Sequence, residues 1–266
     1  MRTEASAEAG AAPADGTAAI SGLADPADYG DRWAEIYDMH PAHPTAEDAE
    51  PAADLLSGLA GRGAALEFGI GTGRVALPLA ARSVVVSGID VSRAMLERLA
   101  EKPGADEIHA VVGDIRRDRV DGRFSLVYAV FNTVLMVPSQ ADQVACFRNA
   151  AAHLEPNGFF VVEAFVPEFE KLALSESIGV RRVDDEGAWL LAMRHDPLQQ
   201  LILSEAIRVG ASGTHRYPIA VRYAWPAELD LMGELAGFSL VERFGGWGRE
   251  PFDTTSRNQV SIYRLS

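Results

Sequence analysis

Residues 64–74 hold an apolar run that stops in three glycines at alternate positions, Gly69, Gly71 and Gly73, and passes directly into a helical pattern. Few folds accommodate that succession. Ala64 to Ile70 reads as a buried strand, and the alternating glycines allow a sharp turn that leaves backbone amides open to a ligand at the start of the next helix. Spacing narrows the ligand. The dinucleotide pattern Gly-x-Gly-x-x-Gly needs its third glycine where this chain has Arg74, which weighs against a nicotinamide-dependent reductase. The chain follows Gly-x-Gly-x-Gly instead, with an acid, Glu67, two positions ahead.

Further apolar runs end in a comparable way. Ser83 to Ile89 precedes Asp90, seventeen residues beyond Gly73 and placed to accept the hydroxyl protons of a ribose. Val91-Ser92 follows, with Ser92 a cap for a helix bearing Met95, Leu96 and Leu99. Ile108 to Val112 leads into Gly113-Asp114-Ile115. A fourth run, Phe124 to Phe131, delivers Asn132-Thr133 to the same edge, because ligands of open α/β sheets bind at the carboxyl ends of the strands. Ser139 caps the next helix, the turn Glu155-Pro156-Asn157-Gly158 ends it, and a fifth strand from Gly158 to Val166 carries Glu163, Ala164 and Phe165.

The run from Glu67 to Gly73, with Asp90 and Asp114 at the next two strand ends, resembles the motifs of class I S-adenosylmethionine (SAM) methyltransferases. From Tyr29 onward the chain is similar to the small-molecule enzymes of bacterial specialised metabolism in that family, among them the amino-sugar N-methyltransferases. The resemblance implies an α/β fold: a Rossmann-like seven-stranded class I methyltransferase sheet with helices on both faces and an antiparallel β insertion after strand five. It implies S-adenosyl-L-methionine as cofactor, S-adenosyl-L-homocysteine as product, and a small-molecule acceptor in natural-product biosynthesis. Cofactor contacts then fall to Glu67, Gly69, Gly71, Gly73 and Arg74 around the amino-acid end, and to Asp90 at the ribose. Val91 and Met95 flank the adenine, Asp114 takes its amino group, and the Ile115 backbone lies at the ring. Phe131 and Asn132 belong to the loop that faces the transferred methyl group. That loop lacks an Asn-Pro-Pro-Tyr motif and the acids of metal-dependent catechol-type enzymes, which weighs against both subclasses. A SAM-binding protein of the same fold without methyl transfer, a sensor or a cyclisation catalyst, is the alternative, since cofactor residues are more legible here than catalytic ones.

The rest of the chain is organised around this core. Residues 1–24 mix Ala, Gly and acids with few large apolar groups and read as a flexible tail. Residues 25–62 form an N-terminal helical lid that opens at Asp25-Pro26, with Tyr29, Trp33 and Tyr37 at spacings of four on one helical face and available to the cofactor. His40-Pro41-Ala42-His43-Pro44 is a connector; two histidines without an acidic or cysteine partner do not complete a metal site. The core spans 63–170 and the antiparallel insertion, over the acceptor site, 171–225. A helix and hairpin over 226–266 complete the sheet. A net charge of −14 argues against nucleic acid as partner. Cys146 is the only cysteine and reads as buried filler; with no membrane-spanning stretch, a cytoplasmic location follows as the expectation.

Proton handling is the least determined feature. Some of the resembled enzymes carry a histidine where this chain has Met136. The candidate bases are Glu163 at the end of strand five, then His195, in a turn signal, and Tyr223. The acceptor, the methylated element (N, O or C) and the oligomeric state are left open.

Overall fold

The computed structural model describes residues 26–39, 47–168, 174–185, 187–211 and 213–266. The tail over 1–24 and the histidine connector therefore lie outside the described residues. Six helices are present among them: α1 (Pro26–Trp33), α2 (Glu50–Ala60), α3 (Ala76–Ala80), α4 (Arg93–Ala100), α5 (Gln140–His153) and α6 (Pro226–Leu235). The strands are β1 (Ala65–Phe68), β2 (Val86–Asp90), β3 (His109–Val112), β4 (Phe124–Ala129), β5 (Leu154–Phe165), β6 (Glu176–Asp184), β7 (Gly187–Asp196), β8 (Leu201–Gly210), β9 (Gly213–Arg222), β10 (Phe238–Phe244) and β11 (Asn258–Leu265). No helix of the described residues is long and apolar enough to cross a membrane.

Seven strands make one sheet in the order β10-β11-β5-β4-β1-β2-β3, parallel from β5 to β3 and antiparallel where β11 meets β5 and β10. Its central strands β1 and β4 are buried on both sides, as a sheet covered on both faces requires. Successive residues point to opposite faces, so Ala65, Leu126, Tyr128 and Val161 join Leu55 and Leu56 of α2, Leu79 of α3 and Leu99 of α4. Leu66, Phe68, Val127, Phe160 and Val162 join Phe147 of α5 and Leu229 and Met232 of α6. Both predicted serine caps form: Ser92 Oγ accepts from the Met95 amide at 3.2 Å, and Ser139 Oγ from the Asp142 amide at 3.1 Å. Cys146 is buried.

Two local expectations change. The segment Glu155-Gly158 belongs to β5, yet the ladder skips it, since Phe124 pairs with Leu154 and the next register point is Leu126 with Phe159. Pro156 has no amide to donate and Asn157 sits at φ 65°, so the segment loops out of the register. Helix α1 also ends at Trp33, and Tyr37 falls in a separate 3-10 turn, Tyr37–Met39. Gly30 weakens the helix, and tertiary hydrogen bonds to Asp38, described below, draw the following turn elsewhere.

The insertion is a four-stranded antiparallel sheet in chain order, β6-β7-β8-β9. One face rests on α1, where Trp33 and Ala34 pack with Met95, Ala206 and Tyr217, the Trp33 and Tyr217 rings being 4.9 Å apart. At its root, buried Arg222 bonds Gln143 (2.6 Å), Gln200 (2.9 Å) and Glu228 (2.7 Å), joining the sheet to α5 and α6.

Candidate active site

A pocket of about 1020 Å³, including space open to solvent, lies at the carboxyl ends of β1, β2, β3 and β4. The glycine turn forms its floor. Gly69 adopts φ 71° and approaches the β4 loop so closely that a Cβ there would stand 2.6 Å from Thr133 Cγ2. At Gly71, also left-handed at φ 54°, a Cβ would meet nothing nearer than 4.0 Å, so the backbone there lies open to the pocket it lines. Gly73 lies behind the wall, against Leu99.

Asp90 ends β2 beside this floor. Its carboxylate accepts from the amides of Gly71 and Ser92, each at 2.8 Å, which fixes the oxygens in place; burial raises its pKa against those two hydrogen bonds. Glu67 is buried, and burial pushes its pKa up to about 8 although the Tyr128 hydroxyl donates to it at 3.0 Å. Asp114 behaves oppositely. Burial would raise it, but Arg116 grips both of its oxygens at 2.7–2.9 Å and holds the carboxyl below its ordinary value. Val91, Met95 and Ile115 line the same end of the pocket.

The α1 segment closes the other side, with Tyr29, Gly30 and Tyr37 on the lining and Trp33 turned away into the joint with the insertion. Close approach explains Gly30, whose Cβ would fall 2.3 Å from Ser92 Cβ. Two carboxylates tie the segment to the floor. Asp31 accepts from the Ser92 hydroxyl at 2.7 Å; Asp38 accepts from the Thr72 hydroxyl at 2.7 Å and from Lys102 at 2.7 Å, while Lys102 also donates to the Thr72 carbonyl. Burial raises the hydroxyl pKa of Tyr29 and brings that of Tyr37 up to about 12, with Arg74 opposing.

The β4 loop supplies the remaining wall. Phe131 and Asn132 are both left-handed, at φ 52° and 66°, and the Arg74 guanidinium lies 4.4 Å from the centroid of the Phe131 ring. Asn132 does not line the pocket; its Oδ1 accepts from the Phe165 amide at 2.7 Å. None of the three candidate bases is on the lining either. Glu163 accepts from the Phe131 amide at 2.7 Å. His195 lies within β7 instead of a turn, buried, with Nε2 3.2 Å from the Tyr223 hydroxyl. The insertion contributes no lining residue among those described; it backs α1 and, through β9, the turn Thr133–Met136. Sequence reasoning missed Thr72, Thr133 and Arg116 on the lining. Thr72 sits between two motif glycines and Arg116 two residues after Asp114, so proximity to the motifs was the available signal; Thr133 was placed at this edge with Asn132 but given no contact.

A family model described as a methyltransferase domain matches residues 65–158. The chain is 39% identical to the CcbJ methyltransferase from Streptomyces caelestis, covering 91% of this chain and 99% of that one, and the two structures superpose with a TM-score of 0.86. The cypemycin N-terminal methyltransferase of a Streptomyces species is 26% identical over 247 residues, 90% of this chain and 98% of the relative. The dTDP-3-amino-3,6-dideoxy-alpha-D-glucopyranose N,N-dimethyltransferase of Streptomyces fradiae is 33% identical over 143 residues, 52% of this chain and 54% of the relative.

Proposed function

The chain belongs to the class I SAM-dependent methyltransferases, and on that premise we propose that the small molecule it methylates presents an amine nitrogen. The carrying observation is the state of the acidic and phenolic groups lining the pocket. Glu67 is engaged by Tyr128, Asp90 by two amides and Asp114 by Arg116, while burial keeps the Tyr29 and Tyr37 hydroxyls protonated. A hydroxyl or carbon acceptor needs a base within about 3 Å of the proton it loses, whereas a neutral amine attacks with its lone pair and sheds its proton afterwards to water. The amino-sugar relative, by name an N,N-dimethyltransferase, supports the same reading, and the cypemycin relative is named for methylation at an N-terminus. The acceptor belongs to natural-product biosynthesis.

The residues suit the cofactor. Asp90 has lone pairs left for the two ribose hydroxyls, Val91, Met95 and Ile115 offer apolar contact to an adenine, and the open backbone at Gly71 accommodates the amino-acid end. Arg74 carries the charge that a carboxylate there would pair with. Asp114 takes the adenine amino group only by sharing oxygens that Arg116 already occupies. Tyr29 and Tyr37 cover the site and exclude water. When bound, SAM would supply an activated methyl group on a sulfonium, which an amine lone pair would accept, with S-adenosyl-L-homocysteine as the other product and the proton lost to water. The chain's residues contribute orientation in line and dryness. The test is incubation with methyl-labelled SAM and matched panels of small amines and isosteric alcohols. Label on amines alone is the expected result, and transfer to an alcohol overturns the reading.

A further inference from the structure

We infer that Glu163 is a positioning residue: through the Phe131 amide it holds a strained turn that aims the Phe131 ring, and with it the Arg74 guanidinium, at the amino-acid end of the cofactor. The inference rests on the cofactor-site reading above. Phe131 and Asn132 are consecutive non-glycine residues in the left-handed region, a conformation that side chains rarely adopt and that persists only where surrounding contacts impose it.

Those contacts form a clasp between the β4 loop and the end of β5. The Glu163 carboxylate accepts from the Phe131 amide at 2.7 Å, the Asn132 amide donates to the Glu163 carbonyl at 3.3 Å, and Asn132 Oδ1 accepts from the Phe165 amide at 2.7 Å. A charged acceptor on a backbone amide is among the stronger hydrogen bonds available, suited to opposing backbone strain. What the clasp holds is functional surface: Phe131 lines the pocket, and its face carries Arg74 at 4.4 Å. An acid that only satisfied a stray amide would affect stability and every ligand alike. An acid that aims Arg74 affects only ligands bearing a carboxylate.

Calorimetric titration with SAM and with 5′-methylthioadenosine, which keeps the adenosine and sulfur but lacks the amino-acid part, separates the two. E163A and F131A are each expected to weaken SAM about fivefold to tenfold and leave methylthioadenosine within about twofold, the scale of a partly desolvated cation–π contact. E163A/F131A should be no weaker than either single variant, and E163Q, whose amide oxygen accepts the same N–H, should match the parent protein. Equal weakening of both ligands, additive losses or failure of E163Q to rescue overturns the inference. A normal SAM affinity in E163A alongside a weakened F131A overturns the inference alone. A normal F131A removes Phe131 from the amino-acid end and takes the site reading with it. Should E163A not fold, E163D, whose shorter side chain falls short of the Phe131 amide, is judged by the same criteria.

Discussion

The two sheets of this protein are held in place by different physics. In the seven-stranded sheet both faces of the central strands are covered, by α2, α3 and α4 on one side and α5 and α6 on the other, so their position follows from burial. The four-stranded sheet has one face on α1; on β6, Ile178, Val180 and Val183 remain 69%, 64% and 72% exposed. It is anchored by discrete joints, the Trp33–Tyr217 stack and the Arg222 hub. The packed sheet thus carries the loops that need fixed geometry, and the sheet with point anchors lies behind two lining segments, α1 and the turn Thr133–Met136, without lining the pocket itself among the described residues.

The sharpest way to break this contrast is to truncate one side chain in each sheet. Phe160→Ala should cost about 3–5 kcal/mol in denaturant unfolding, because a fully buried ring leaves a cavity between α5 and the sheet. Val180→Ala should stay within about 0.5 kcal/mol. Equal losses would mean that the exposed face of β6 is covered in solution. Arg222→Ala comes next, at about 2–3 kcal/mol, since Glu228 and two glutamines lose their shared cation. Hydrogen exchange should then accelerate in β6–β9 and not in β1–β5; uniform acceleration would remove Arg222 as a joint.

Three predictions sharpen the cofactor side. Asp90→Ala should weaken SAM more than tenfold, about 1.5–3 kcal/mol by calorimetry, because two hydroxyls lose a charged acceptor already oriented by the Gly71 and Ser92 amides. Glu67 brings a pH dependence. Its folded pKa, about 8, exceeds its ordinary 4.5, so the folded state binds the extra proton: this contribution to stability is complete below pH 4.5 and is lost as pH rises through 8. Glu67→Gln removes that slope and should melt at a higher temperature than the parent at pH 8.5, with no gain below pH 4.5. A parallel pair of pH profiles would show that Glu67 is ionised in the folded protein. The smallest effect belongs to Asp38→Ala, about 1 kcal/mol, because the Lys102 pair is half-exposed and only the Thr72 bond is sheltered. It should appear as faster release of S-adenosyl-L-homocysteine in stopped flow, with melting temperature nearly unchanged.

The parallel strands and their loops were legible because their signals are local: apolar runs, left-handed glycines, and acids at strand ends follow from the conformational needs of a few neighbouring residues. Even the insertion announced itself, through alternation broken by turn residues at Asp184-Gly187 and Gly210-Gly213. Partnership was decided elsewhere. Glu163 is taken by the Phe131 amide, His195 is buried against Tyr223, and Trp33 turns toward Tyr217 while Tyr29 and Tyr37 line the pocket. A carboxylate or an aromatic ring reads the same in a sequence whether it meets ligand or protein, since what it touches depends on residues 32 or 184 positions away, brought together only when both sheets close on the helices between them.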